Sequence, residues 1–371
     1  MISMENSKDK FYALVKGGLW GKLPSDSNFD GETDWTIIYN YSRQQALLGN
    51  VLDGINLLPE KQRPPRPLYL KWCAEVLQIE DENQRMDKEV VNLFKMLREN
   101  GVNPILMKGQ AIARNYPDPL HRISGDIDIY IGKKDYDKVN SLLAIEGKQL
   151  EKWSPKHVMF EWHNVIVENH RLLAKMDSPV TNQKLYRIID EWFQPSKVSE
   201  IEIEGYNITT PSVDFDVMFL LLHSVIHLMG YGVGLRQICD WAMLLHNKKD
   251  EINPEVVKRL LKSLTLTKSA RIFGALAVKY LGLPKENLIL PYSSKDEKVA
   301  EKVLEDIWYS GNFGFSGERI KKYQGNWVTV RLKNLYHGTK RAMELRKIAP
   351  SEAYWKPYKI LNHFIKSRID K

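Results

Sequence analysis

The sequence predicts an α+β protein in which a small mixed sheet lies between an N-terminal and a C-terminal helical region. Three observations predict it. Apolar residues recur at helical spacing before residue 100 and again after 212. Between them the spacing shortens to two, in "DIDIYIG", "HVMFEWH" and "NVIVENHRLL". Breaks fall at the junctions, where "EKQRPPRP" forbids helix continuation and Gly101 offers a C-terminal cap. The expected organisation is helices over 1–100, an α+β core over 101–211 and helices with a basic tail over 212–371.

The elements follow in order. Residues 33–57 read as one helix opening near Thr33 or Asp34, and a long helix runs from about Leu68 to Leu97. "NPILMKG" is a short strand, "QAIARNY" a short helix and "PDPLHRISG" a loop. "DIDIYIG" is the second strand, followed by a helix closing on Gly147 and three meander-like strands. "LYRIIDEWFQ" is helical, and "VSEIEIEGYNITTP" is one more strand or hairpin.

Composition narrows the class. At 43% hydrophobic and 27% charged, the 371 residues hold enough apolar mass for real cores. Two cysteines, Cys73 and Cys239, exclude a disulfide framework and a cysteine zinc site. The opening stretch lacks the apolar run and cleavage site of a secretory signal, so the cytoplasm is the expected location. The most apolar stretch, "DVMFLLLHSVIHLMGYGVGL", is interrupted by His223 and His227 and flanked by Asp216 and Arg236. It reads as a buried core helix with satisfied histidines rather than a membrane span. The net charge of +8 is concentrated at the end, where 14 Lys/Arg stand against 4 Asp/Glu from Glu318 to Lys371. There Trp327, Leu335, Trp355 and Phe364 are expected to pack, and Lys321, Lys322 and Arg331 to face solvent or an anionic ligand.

The chemistry concentrates in "RISGDIDIYIG". On a strand Asp126 and Asp128 share a face. Two like charges side by side repel and lose solvation, and a divalent cation removes both costs. Glu168 in "NVIVENHRLL" is the candidate third carboxylate, sharing a strand face with Ile166 and His170, with Glu161 as the fallback. Gly109 lets backbone approach a ligand where a helix begins, a setting that favours phosphate. Lys108 adds a point charge and Arg122 a fork suited to phosphate oxygens.

This order of elements is similar to that of uncharacterised bacterial nucleotidyltransferases of the DNA polymerase β-like superfamily. The residues that carry it are "GVNPILMKGQAIARNYPDPLHRISGDIDIYI", "VIVENHRLL" and "LLLHSVIHLMGYGVGLRQICDWAMLL", within roughly Thr33 to Leu245. The resemblance implies a small mixed-sheet nucleotidyltransferase core in which Asp126, Asp128 and Glu168 hold Mg²⁺ or Mn²⁺. Lys108, Gly109, Gln110, Arg122 and Ser124 would then contact a nucleoside triphosphate such as ATP. The chain departs from the superfamily in having Gln110 where Gly or Ser is usual, a long gap over 111–125, and Glu in place of Asp as third carboxylate.

The expected activity is Mg²⁺-dependent transfer of a nucleoside monophosphate to a hydroxyl of a small-molecule, protein or RNA acceptor. His170, Arg236 and Asp240 are candidate acceptor-lining residues, although Arg236 and Asp240 also suit a structural pair at i, i+4. Two rival readings are a nucleotide-binding regulatory module without turnover and an RNA-binding or tRNA-modifying transferase, the latter suggested by the basic tail.

Overall fold

A computed structural model describes residues 4–25, 27, 29, 31–151, 154, 156–312 and 326–369. Its first helix, α1 (Met4–Trp20), goes beyond the expected elements. Phe11, Leu14, Val15 and Leu19 are buried along one side of it. Its glycines serve close packing: a Cβ on Gly18 would fall 1.9 Å from the Asn50 carbonyl oxygen. The single helix expected over 33–57 is two helices, α2 (Trp35–Gln44) and α3 (Leu48–Asn56). Asp34 caps α2 by accepting from the Ile37 N–H at 3.0 Å. The break is Ala46, at a left-handed φ of 54°. There the Leu47 N–H bonds Ser42 O and the Ala46 N–H bonds Arg43 O (2.8 and 3.1 Å), the paired bonds of a Schellman ending. The long helix is α4 (Arg66–Glu99), and Gly101 follows it at φ 72°.

The sheet begins with β1 (Ile105–Met107), which turns through α5 (Gly109–Ala113) and a long loop into β2 (Ile127–Tyr130). Helix α6 (Tyr136–Glu146) leads to β3 (Lys148–Gln149), β4 (His157–Trp162) and β5 (Val165–His170). The strand order is β1-β2-β5-β4-β3, with β2 and β5 parallel and the other neighbours antiparallel, so the sheet is mixed as expected. After α7 (Pro179–Trp192), the strand-or-hairpin segment is a hairpin of β6 (Ser199–Ile203) and β7 (Tyr206–Thr210). Arg98 of α4 anchors it, donating to Asn207 O and Thr209 Oγ1 (2.7 and 2.9 Å).

Strand alternation divides the sheet's faces. Ile127, Ile129, Val165, Val167, Val158, Phe160 and Trp162 join Val90, Phe94 and Leu97 of α4 and Val139 and Leu143 of α6 in one buried core. Each such side chain contributes about 1.5–3 kcal/mol by burial. The opposite face is left to Asp126, Asp128, Glu168, His170 and His157. The apolar residues therefore fix the register that aligns the polar ones.

The chain groups into two compact units, Met1–Ala174 with Trp192–Asp216 and Lys175–Glu191 with Val217–Lys371. Segment 175–191, which sequence order places in the α+β core, thus groups with the C-terminal helices. Those are α8 (Val213–Gly230), α9 (Leu235–Asn247), α10 (Pro254–Ser263), α11 (Thr267–Leu281), α12 (Ser294–Ser310), α13 (Trp327–Leu345) and α14 (Pro350–Ile369).

Helix α8 is long and apolar enough to cross a membrane, and 67% of it is buried inside the protein. Its His223 and His227 are half-buried, with rings edge to face 4.4 Å apart. Arg341 of α13 is buried and forks onto both carboxylate oxygens of Asp306 on α12 (2.5 and 2.6 Å) while donating to Leu228 O. The buried Glu352 of α14 accepts from the Asp177 and Ser178 N–H groups and from Thr181 Oγ1, which ties segment 175–191 to the C-terminal helices. Leu335, Trp355 and Arg331 are half-buried, while Leu345, Ile348, Ala349 and Ala353 form the buried contacts of α13 and α14. The side chains of Trp327 and Phe364, and residues Lys321 and Lys322, lie outside the described residues.

Candidate active site

The parallel pairing of β2 with β5 builds the site. Asp128 stands directly opposite Glu168, and Tyr130 opposite His170. Neighbouring strands lie about 4.8 Å apart, so Asp128 and Glu168 are brought side by side from positions 40 residues apart in sequence. Asp126 is two residues before Asp128 on the same face. One carboxylate oxygen from each of Asp126, Asp128 and Glu168 lies within 4.8 Å of the others. Across the next strand, Met159 pairs with Glu168, and the fallback Glu161 pairs with Ile166 and is exposed.

Basic side chains surround these acids. Lys108 Nζ lies 3.0 Å from Asp128 Oδ2, and His170 Nε2 donates to Asp128 Oδ1 at 2.7 Å and lies 3.5 Å from Glu168 Oε2. His157 Nδ1 is 3.0 Å from Glu168 Oε1. Burial alone would raise the Asp128 carboxyl, but Lys108 and His170 together hold it below its usual range. For Glu168 burial again pushes up, and the His157 and His170 imidazoles hold it well below the usual range. Burial lowers the His170 imidazole, while Asp128 and Glu168 more than reverse this and raise it to about 9. Lys108 stays charged because Asp128, Asp126 and Glu168 outweigh its burial. The lysine assigned in sequence to phosphate therefore faces the carboxylates in this structure.

Local backbone explains that direction. Lys108 sits at φ 50°, ψ −134° between β1 and α5, a strained conformation for a residue with a Cβ, and Gly109 follows at φ 39°. This tight strand-to-helix turn presents the lysine side chain at the strand end. A Cβ on Gly109 would lie 3.4 Å from Asp126 O, so the turn backs closely onto the second strand. Gln110, the departure from the superfamily pattern, has a structural use. Its side chain is buried and donates to Asp87 Oδ1 at 2.9 Å and Asn83 O at 3.3 Å on α4, so ligand contact at this position falls to the backbone. Arg122 is buried and donates through Nη1 to Ser124 Oγ at 2.9 Å, which brings these two expected residues together.

The long 111–125 gap is firmly held. Asn83 donates to Leu120 O and Arg122 O (2.6 and 2.9 Å). His121 is gripped by Asp53 at 2.8 Å and Glu80 at 3.0 Å, with Asp118 at 3.6 Å. Burial lowers its pKa, but Asp53, Glu80 and Asp118 raise it to about 9. A raised histidine stabilises fully below its unfolded value of about 6.5 and loses that contribution as pH climbs through about 9. The melting-temperature gap between wild type and His121→Gln is thus expected to be widest near pH 6 and to close by pH 9.5. A gap constant across melts in that range would refute a charged His121.

Arg236 and Asp240 lie one turn apart on α9, both buried in the other unit. His157 and His121 had no role in the sequence reading. For His157 the available signal was its place in the alternation of β4, on the face that Glu168 shares.

A DxD strand, a third carboxylate on the parallel neighbour and a Lys-Gly turn before them define a protein of the nucleotidyltransferase class. The family described as uncharacterised nucleotidyltransferase matches residues 31–282, and the chain belongs to it. The match runs past Leu245, where the recognisable motifs end. An antigenic nucleotidyltransferase-like protein from Paracoccidioides brasiliensis is similar over 58% of this chain and 95% of its own, at 13% identity and a TM-score of 0.35. No curated protein matches the chain.

Proposed function

We propose that the protein is a Mg²⁺-dependent nucleotidyltransferase that moves a nucleoside monophosphate from a nucleoside triphosphate to an acceptor hydroxyl. The observation that carries this reading is the register pairing of Asp128 with Glu168, with Asp126 on the same face. Three close carboxylates are hard oxygen donors and fit Mg²⁺ or Mn²⁺. The ion, when bound, withdraws charge from the phosphates and acidifies the acceptor hydroxyl.

The chain's own groups supply the rest. Asp126, Asp128 and Glu168 hold the cation, and Gly109 allows close backbone approach to the phosphates. Lys108 and Arg122 are the cations at hand for the negative charge that collects on pyrophosphate. Glu168, held strongly acidic by two imidazoles, acts as a permanent anion rather than a proton acceptor. In the reaction the acceptor oxygen bonds the α-phosphorus, the bond to the pyrophosphate oxygen breaks, and the hydroxyl proton leaves to solvent. The test is pyrophosphate release from each of the four nucleoside triphosphates with Mg²⁺ or Mn²⁺. Release that needs the metal and is absent in Asp128→Asn supports the reading, and no release with any nucleotide or acceptor class opposes it.

An anionic polymer such as RNA is the acceptor class favoured by α13 and α14. Tyr336, Tyr354 and Tyr358 are exposed there, interleaved with exposed Lys333, Lys340, Arg346 and Lys347. Exposed rings offer stacking and the lysines offer phosphate contacts. Lys333, Lys340 and Lys347, changed together to Gln, are expected to leave the melting temperature unchanged. The slope of log affinity for single-stranded RNA against log salt should fall by about 2, from about 0.7 per lost contact. An unaltered slope would place RNA binding elsewhere or nowhere.

A further inference from the structure

We infer that His157, Glu168 and His170 form a second metal site, one that takes a borderline-soft divalent transition ion of the Zn²⁺ type. The three come from two adjacent antiparallel strands. His157 pairs with His170 across β4 and β5, and Glu168 is two residues from His170 on the same face. One ligand atom from each lies within 4.8 Å of the others. The donor set is two imidazoles and one carboxylate, which suits Zn²⁺ and its neighbours where an all-oxygen set suits Mg²⁺.

One further observation points to an ion. His157 Nδ1 and Glu168 Oε1 are 3.0 Å apart, yet that buried nitrogen has no partner at hydrogen-bond angles among the described residues. Two donor atoms side by side without hydrogen-bond angles have the relation of ligands converging on a common centre. Ligands 2.0–2.1 Å from a tetrahedral zinc stand about 3.3 Å from each other; His157 Nδ1 is 3.0 Å from Glu168 Oε1, and His170 Nε2 is 3.5 Å from the other oxygen, Oε2. His170 itself is 5% exposed, and its Nε2 faces both Asp128 and Glu168. Binding through His170 Nε2 replaces its hydrogen bond to Asp128 with a metal bond and releases the Nε2 proton to solvent. Glu168 then belongs to two sets, an oxygen set with Asp126 and Asp128 and a mixed set with the histidines.

The inference does not depend on nucleotidyl transfer, because the probe is the metal alone. Full-length protein titrated with Co²⁺ should bind it with the visible absorption of a low-coordinate cobalt centre, and Zn²⁺ should displace it where Mg²⁺ does not. His157→Gln should weaken Co²⁺ binding by at least about 100-fold, beyond what loss of a supporting partner brings. Asp126→Asn should keep the band while losing the response to Mg²⁺ and nucleotide. His157→Cys, a ligand swap, should add a near-ultraviolet sulfur-to-cobalt charge-transfer band, which reports residue 157 directly even if His157→Gln folds poorly. Co²⁺ binding equal in wild type and His157→Gln, or no charge-transfer band in a folded His157→Cys, overturns the site. If pyrophosphate release fails while these bands behave as stated, the transfer reading falls and this one stands.

Discussion

Asp128→Asn is expected to abolish nucleotidyl transfer and to lower the melting temperature in the same step. The volume is nearly unchanged, so packing is spared, but Asp128 accepts from cations on both oxygens. Asparagine keeps one acceptor oxygen and turns an NH₂ group toward the other cation. Leaving a buried charge without its partner costs about 3 kcal/mol, somewhat less here because water reaches 17% of the Lys108 side chain. That corresponds to a drop of about 3–4 °C for a chain of 371 residues. Wild type should also gain stability from Mg²⁺ with nucleotide by binding linkage, and the variant should gain little. Equal ligand-induced shifts in the two proteins would remove Asp128 from the metal site.

Glu168→Gln is the second large effect. Turnover should fall by about two to three orders of magnitude, the range for losing a preorganised electrostatic group. Nucleotide affinity should stay within several-fold, because Asp126 and Asp128 remain. Glu161→Gln serves as the control and should leave the rate near wild type, since Glu161 is exposed and pairs two residues away from Glu168. Single-turnover measurements separate the two quantities. If the Glu161 variant loses turnover and the Glu168 variant does not, the strand register assigned to the chemistry is wrong.

The strands were legible because their signals are local. Alternation in "DIDIYI" and "HVMFEW" carries the strands, and the shared face of Asp126 and Asp128 follows from period two alone. The pairing of β2 with β5 is a long-range fact, so sequence offered Glu168 only as a candidate. Lys108 illustrates a different limit: its direction depends on a strained φ, ψ pair that a lysine does not advertise. Ala46 hid a helix end because a Schellman ending normally shows a glycine there. His157 was passed over because a lone histidine on a strand means little until its cross-strand partner is known.

The grouping of residues 175–191 with the C-terminal helices has a consequence for biosynthesis. The chain crosses between the two units three times, at 174/175, 191/192 and 216/217. The turn leading into α7 therefore leaves the ribosome long before Glu352, which accepts the Ser178 N–H from 174 residues downstream. Contacts of such high sequence separation form late and slow the approach to the native state. Until then the new α7 lacks the helices it belongs with, and a chain stopped short of α14 would hold every residue of the first unit but leave the second unfinished.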